Sequence, residues 1–586
     1  MMRDVIVIGA GGGGAVVAKE LAARGLDVLV LEAGARFAHP RRQWSHLEAR
    51  ANDPAFGYFR WGPPDPNRPP WLREFVHGGT ILQTAGVGGT TLRYFGNSPR
   101  AMPGVFRGYR GRDAATYDRR HRFPFSYKNF RRYYEWVEAT LPVQTAAMGT
   151  KEEAFLDAAA RTGLPVQKSK DITRNAHRPQ ENAILQPHGT AGRTGDRRRL
   201  HFPRARGCTF CGFCEQGCFE PLGAPRNLTA KRSVDNSYIP MALTADRWQR
   251  GGRPAELIAG AFVTRIDADT SGGTTTARGV TWRDVATNTE HSERAKVVVM
   301  AGGCIENPRL WLKSGLPNPN GWVGRGLTDH SLDFVLAVLR EPIGASRGPA
   351  SAARADFPGH GSLEPFIATP AQTSAVATLS GAGFAPGDRK SRLRADTVGR
   401  IVGRKHVHAM ADVDHLLLLG ILTDDDVQPN NRVLLGERTD PHGPVPRIDL
   451  DGRARTARTR RNRAYLVRQA VRIARAAGAK SVHRIDSIPT LLHVHSSMRM
   501  GAHASDSVLD SSGEARFVQR LFIADNSALP NSLGGPNPTL TTQGLATRTA
   551  ERIFSRYFGG DRWVHDESPM PSTHRRVTRA VRSRRL

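Results

Sequence analysis

No apolar run in this chain of 586 residues approaches the roughly 18 residues that a membrane-crossing helix needs. The longest candidate, His415 to Thr423, is of strand length, which excludes a transmembrane helix from the sequence. No internal repeat is present, which excludes a solenoid or a propeller. Cysteine is scarce, at five residues, and four of them fall between Cys208 and Cys218. A disulfide scaffold does not crowd its cysteines in this way in a long chain; metal sites do. Acidic residues also run short, 54 Asp and Glu against 84 Lys and Arg, for a net charge of +30. The arginines are scattered along the chain, so the excess reads as a solvated surface and no nucleic-acid partner is expected. The concentrated basic run is His574 to Leu586, expected to be disordered and able to touch anionic lipid or an acidic partner.

What is present is the composition of a soluble globular protein, 39% hydrophobic and 24% charged, in a chain long enough for two to four domains. The opening MMRDVIVIGAGGGGAVVA has the Arg, apolar stretch and small residues of a signal peptide. Asp4 and the glycine cluster fit a strand and a phosphate loop instead, so the chain is expected to carry no export signal of its own. Residues 4–8 read as a buried parallel strand, 15–24 as a helix and 27–32 as a second strand, a βαβ unit. Gly9, Gly11 and Gly14 between them make G-x-G-x-x-G, which serves a tight turn, close approach to a pyrophosphate and close helix–strand packing. Glu32 ends the second strand where an acid binds ribose hydroxyls. The motif alone does not separate FAD from NAD.

Further strands are expected at 257–267, 296–301 and 520–525, antiparallel strands over 415–450, and helices at 129–140, 460–477 and 539–556. Residues 77–97 read as an extended loop and 187–205 as a polar, Arg-rich surface segment. Residues 340–400 give no clear periodicity. Nucleotide-type elements at the start, middle and end imply a discontinuous cofactor domain with a second domain inserted.

The C-terminal part carries HVHSSMRMG from His493, RLFIADNSALP over 520–530, and NPTLTTQGLATRTAERI from Asn537. With GVGGTT (86–91), FPFSYKNFRRYYEWVE (123–138), VVVMAGGCIENPRL (297–310) and PNNRVLLGERTDPHGPVPRI (429–448), in this order, the chain resembles the glucose–methanol–choline oxidoreductases. CTFCGFCEQGC (208–218) makes the likeness strongest to the gluconate, fructose and glucose dehydrogenase catalytic subunits.

The resemblance implies an α/β (α+β) architecture: a Rossmann-like, GR2-type FAD domain with an inserted antiparallel-sheet substrate domain. The FAD domain would take 1–110, 205–335 and 486–560, the substrate domain 111–204 and 336–485, and 561–586 a basic tail. His493 would be the base, since imidazole titrates near neutrality and can take a hydroxyl proton as hydride leaves for flavin N5. A buried structural histidine is the competing reading. Asn537 would orient the substrate oxygen, with a helix N-cap as its rival role. His495, two residues on, points to the other face of an extended segment and reads as structural. Gly88, Gly89 and Thr90 would lie against the isoalloxazine, and Thr539 beside the cofactor. Asp525 would lie near the pyrophosphate, or else be a strand-end turn residue. Some relatives attach FAD through a His just after the GVGGTT loop; Arg93 stands there, so non-covalent FAD is expected.

Cys208, Cys211, Cys214 and Cys218 are spaced C-x2-C-x2-C-x3-C, which resembles a ferredoxin run. The dehydrogenase relatives use C-x5-C-x3-C for a three-iron cluster, and Cys208, Cys214 and Cys218 reproduce that spacing. An iron–sulfur cluster (3Fe–4S or 4Fe–4S) is the expectation, with structural zinc or disulfides as alternatives. Cys304 reads as a packed small hydrophobe. The expected function is dehydrogenation of a CH–OH group on a sugar, sugar acid or polyol. Electrons would pass through the cluster to a protein acceptor, with a small subunit or cytochrome as partner and peripheral membrane association through that complex. An O2-using oxidase with a structural metal is the first alternative and a non-catalytic redox sensor the second. The compartment is either the cytoplasm or, by export with a partner, the periplasm.

Overall fold

The computed structural model describes residues 2–37, 60–61, 71–72, 74–75, 80–81, 83–107, 121–186, 206–215, 217–218, 220–330, 332–378, 395–440, 442–450, 456–485 and 490–586. The segment 187–205 and part of 340–400, both read from sequence above, lie outside them.

Two seven-stranded sheets organise the chain. In the first, Arg3–Ile8 lies between Val28–Glu32 and Glu290–Met300, all parallel. Glu256–Ala259 extends the sheet beyond Val28–Glu32, and Leu521–Ile523 lies on the far side of Glu290–Met300. The long strand Glu290–Met300 serves two structures. Its second half belongs to this parallel sheet, while its first half pairs antiparallel with Thr274–Asp284, which in turn pairs with Ala261–Ser271. Val5, Val7, Val28, Val297, Val298 and Val299 are fully buried. Strands covered on both faces need apolar residues at every position, which is why they read as continuous runs. Each such side chain contributes roughly 1.5–3 kcal/mol of burial.

The first helix, Gly14–Ala23, is buried at every residue and packs against Tyr238–Leu243 and Thr539–Tyr557. Its two charges pair with each other, Lys19 to Glu20 at 2.9 Å, and Trp136 Nε1 donates to Glu20 at 2.8 Å. That last contact corrects one expectation. The helix Tyr127–Thr140, assigned from sequence to the inserted domain, packs on Thr539–Tyr557 in the core of the first sheet. Its apolar stripe (Phe130, Tyr133, Tyr134, Val137) matches that partner, and Tyr133 donates to Glu551.

The second sheet runs in the order Thr397–Val398, Ala479–Ile485, Leu332–Leu339, Leu416–Thr423, Gly361–Phe366, Ala353–Phe357, Ala176–Pro179. All but the first pairing are antiparallel. Leu416–Thr423 is buried at all eight positions, so the expected alternation is absent there. Residues Arg432–Asp440 and Gly443–Asp449 pair antiparallel as expected. The helix Ala457–Ala476 covers the sheet with Leu466, Val467, Ala470 and Val471.

The basic end of the chain is ordered, against the sequence expectation. Arg575–Ser583 is a helix with Val577, Ala580 and Val581 buried. Asn227 donates to the carbonyl of Ser572, and Arg584 pairs with Asp246 at 3.0 Å. The i, i+3, i+4 spacing of the three apolar residues gives the helix a face to bury, which its arginines mask in composition. No helix among the described residues is long and apolar enough to cross a membrane.

Candidate active site

One large cleft runs from the first glycine loop to the second sheet. Gly9, Gly11, Glu32, Thr90, Asp525 and Thr539 line it, and His493 and Asn537 stand on its wall as well. Gly89 lines it too, while Gly14 and Gly88 do not.

The glycines are required by close approach. Gly89 has φ +51°, and a Cβ there would stand 2.8 Å from the Cα of Gly11. A Cβ on Gly14 would meet the carbonyl oxygen of Gly9 at 2.0 Å. The two glycine loops therefore touch backbone to backbone and leave bare peptide facing the cleft, the surface a dinucleotide phosphate needs. Glu32 accepts three backbone N–H bonds, from Ala10 (2.8 Å), Gly34 (2.8 Å) and Gly86 (3.1 Å). Burial raises its pKa, and the three donors pull the other way. Its carboxylate thus ties the first glycine loop, its own turn and the second glycine loop into one wall. Asp525 accepts from the backbone N–H of Gly303 (2.7 Å) and of Ser527 (2.9 Å), and from Asn307 (2.8 Å). It is the strand-end turn residue, and it also lines the cleft. The extended cleft, the glycine wall and the acid at the end of the second strand fit FAD.

At the other end, Asn537 Nδ2 faces His493 Nε2 at 3.5 Å. The helix Thr539–Tyr557 starts at Pro538 without a side-chain cap, so Asn537 does not serve as its N-cap. The Oδ1 of Asn537 is buried and has no hydrogen-bond partner among the described residues. A hydroxyl placed between the two residues would donate to the imidazole and accept from the amide. Burial pushes the His493 pKa well below the ordinary imidazole range, and the neighbouring rings of His330 and His495 add to this. The ring is therefore neutral at neutral pH and able to accept a proton. His495 is fully buried and does not line the cleft, as the alternation of an extended segment requires.

His330 was not singled out by the sequence. Its Nδ1 lies 3.0 Å from His493 Nδ1. A lone His after Asp in TDHSLD carries no spacing signal; only the fold brings it to His493. Phe95, Asn97 and Phe366 also line the cleft. Asn97 donates to Glu364 at 2.8 Å, joining the second glycine loop to the second sheet.

Arg93 lines the cleft and donates to the backbone carbonyl of Glu215 at 3.3 Å. The Glu215 carboxyl lines it too, pushed up by burial to about 7. Lys231 donates to the carbonyls of Leu92 (2.9 Å), Tyr94 (2.9 Å) and Cys214 (2.6 Å), stapling the cysteine loop to the cofactor wall. The four thiols line one small pocket. The expected single metal site is not formed by their placement: among the described residues no three His, Cys, Asp or Glu side chains are set to hold a metal ion. Burial pushes the thiols of Cys208 and Cys214 upward and that of Cys211 to about 12, so they rest as neutral thiols. Cys218 Sγ contacts the carbonyl of Glu220 at 3.7 Å. Cys304 is packed as expected, its thiol donating to the carbonyl of Val494 at 3.0 Å.

A dinucleotide-binding sheet, a second sheet closing the cleft, and an imidazole and an amide converging in it define an FAD-dependent oxidoreductase acting on alcohol groups. The family comparisons agree. Residues 195–332 and 428–546 match the two GMC oxidoreductase models, and 4–180 match FAD dependent oxidoreductase. The chain is 26% identical to paromamine 6'-oxidase of Streptomyces fradiae, over 94% of this chain and 91% of that protein. It is 26% identical to the fructose dehydrogenase large subunit of Gluconobacter japonicus, over 95% and 98%. Its fold matches the crystal structure of pyridoxine 4-oxidase from Mesorbium loti with a TM-score of 0.60 at 16% identity, over 95% and 99%. The chain belongs to the GMC oxidoreductase family.

Proposed function

We propose that this protein is a dehydrogenase that oxidises a CH–OH group of a sugar, sugar acid or polyol, with His493 as the base. The observation that carries the reading is the facing pair His493 Nε2 and Asn537 Nδ2, 3.5 Å apart in the wall of the FAD cleft. Bound FAD supplies the two-electron acceptor for the substrate hydride. The chain supplies the rest. Asn537 orients the hydroxyl by donating to its oxygen, and His493 takes its proton. Gly9, Gly11, Gly14, Glu32 and Asp525 hold the dinucleotide end; Gly88, Gly89, Thr90 and Thr539 border the flavin. Arg93, where some relatives carry a linking His, offers no nucleophile, so the FAD is held without a covalent bond. The names of two relatives above, a paromamine oxidase and a fructose dehydrogenase subunit, support a sugar-like substrate here.

The second part of the proposal is an iron–sulfur cluster on Cys208, Cys211, Cys214 and Cys218, feeding a protein acceptor such as a cytochrome subunit. Its support is the cysteine spacing and the gathering of all four thiols around one pocket stapled to the cofactor wall by Lys231. Among the described residues the four thiols are not set in the geometry of metal ligands. Two measurements test the proposal. Anaerobic mixing of the flavin-loaded protein with a panel of sugars, sugar acids and polyols should bleach the flavin absorbance, and reoxidation should be faster with a one-electron acceptor than with O2. Iron and acid-labile sulfide should then be found alongside flavin in protein purified without oxygen. Rapid reoxidation by O2 with peroxide formation, and no iron, would instead identify an oxidase.

A further inference from the structure

His493 is held by a neighbour that determines which of its nitrogens is basic. Thr328 and His495 exchange both backbone hydrogen bonds, at 3.0 and 2.9 Å. Residues 328–330 therefore run antiparallel to 493–495, and His330 falls opposite His493. The carboxylate of Asp329 accepts from the backbone N–H of both histidines, which fixes their spacing. The two rings meet Nδ1 to Nδ1 at 3.0 Å, with centroids 5.0 Å apart. The other nitrogen of His330, Nε2, lies 2.7 Å from the carbonyl oxygen of Ser532.

A carbonyl oxygen has no proton to give, so His330 Nε2 must donate. A neutral imidazole carries one ring proton, so His330 Nδ1 then holds a lone pair. At 3.0 Å the facing Nδ1 of His493 must carry the proton. The opposite assignment would press the lone pair of His330 Nε2 against the Ser532 oxygen. We infer that His330 is a positioning residue that locks His493 in the Nδ1–H tautomer, leaving Nε2, the nitrogen facing Asn537 and the cleft, as the proton acceptor. This rests on the reading of His493 as the base. The relay is anchored further back: Ser532 Oγ donates to Asp424, whose other oxygen accepts from Arg458 at 2.6 Å. Burial pushes His330 down to about 4, so it stays neutral while it accepts.

Two variants separate the lock from mere packing. In His330→Asn the amide oxygen can accept from His493 Nδ1 in place of the ring nitrogen; in His330→Leu nothing can. The full-length, flavin-loaded protein, labelled with ring-15N histidine, is observed by solid-state NMR, with His493→Gln to assign the signal. The wild type and His330→Asn should show His493 protonated at Nδ1 and bare at Nε2. His330→Leu should shift His493 to a mixture or to the Nε2–H form. With the panel alcohol that bleaches wild-type flavin fastest, the limiting reduction rate should fall roughly 100-fold in His330→Leu and less than about tenfold in His330→Asn, with substrate Kd changed less than the rate. A His493 tautomer unchanged in His330→Leu, or Nε2–H in the wild type, would overturn the inference; the spectra decide this even if no panel alcohol reacts. Unchanged flavin reduction in His493→Gln would remove the base reading on which the catalytic role rests.

Discussion

At the residue scale, the proposed chemistry turns on the protonation state of one imidazole. His493 must be neutral to accept a proton, and its surroundings favour the neutral form. Burial comes first, and the rings of His330 and His495 disfavour added positive charge nearby. Protonation removes the base, and the pKa is depressed, so the acid limb of flavin reduction should fall below the ordinary imidazole value of about 6.5. Anaerobic reduction rates measured from pH 5 to 8 should be flat above that value; an acid limb at 7 or higher would contradict this environment. Asn537→Ala should slow reduction by roughly 10- to 100-fold through lost orientation, with FAD content unchanged in the absorbance spectrum. His493 and Asn537 stood out because each opens a motif that resembles the family's, and the fold brings the two side chains to 3.5 Å. His330 did not, because its role depends on an antiparallel bridge between segments 163 residues apart. No local pattern reports such a contact.

At the element scale, the first sheet was legible and the second only in part. Strands such as Arg3–Ile8 are bounded by a glycine loop and a helix, so their short apolar runs have one reading. Leu332–Leu339 and Leu416–Thr423 are buried on both faces, and burial on both faces erases the period-two alternation that marks a strand. The terminal helix was hidden for the opposite reason: arginines outnumber its three buried residues. The helix is nevertheless part of the core. Val577→Asp should destabilise the protein by roughly 3 kcal/mol or more, since it places a charge at a fully buried position, and calorimetry should show the loss. A disordered tail would tolerate the change. The glycine loops make a second prediction at this scale. Gly89→Ala adds a Cβ at positive φ and 2.8 Å from Gly11, so purified protein should carry markedly less FAD per chain than the wild type.

At the scale of the whole molecule, the FAD cleft is where the two sheets meet. The first supplies the glycine wall and Glu32. The second supplies Phe366, and it anchors His330 through Ser532, Asp424 and Arg458. FAD held by residues of both would stabilise the entire chain: at about 100 times its Kd the gain should be roughly 2.7 kcal/mol, seen as a higher melting temperature in holo than in apo protein. The nucleotide-type strands read at the start, middle and end of the sequence meet in one sheet, as Arg3–Ile8, Glu290–Met300 and Leu521–Ile523. The place of the helix Tyr127–Thr140 was not legible, since it joins the first core by its packing partner and not by its place in the chain.

The most direct test is the rate of anaerobic flavin reduction by a reactive alcohol in wild-type protein and in His493→Ala with full FAD content. The account predicts a loss of roughly 10²- to 10⁴-fold in the variant, the usual contribution of a general base. Equal rates in the two proteins would contradict it.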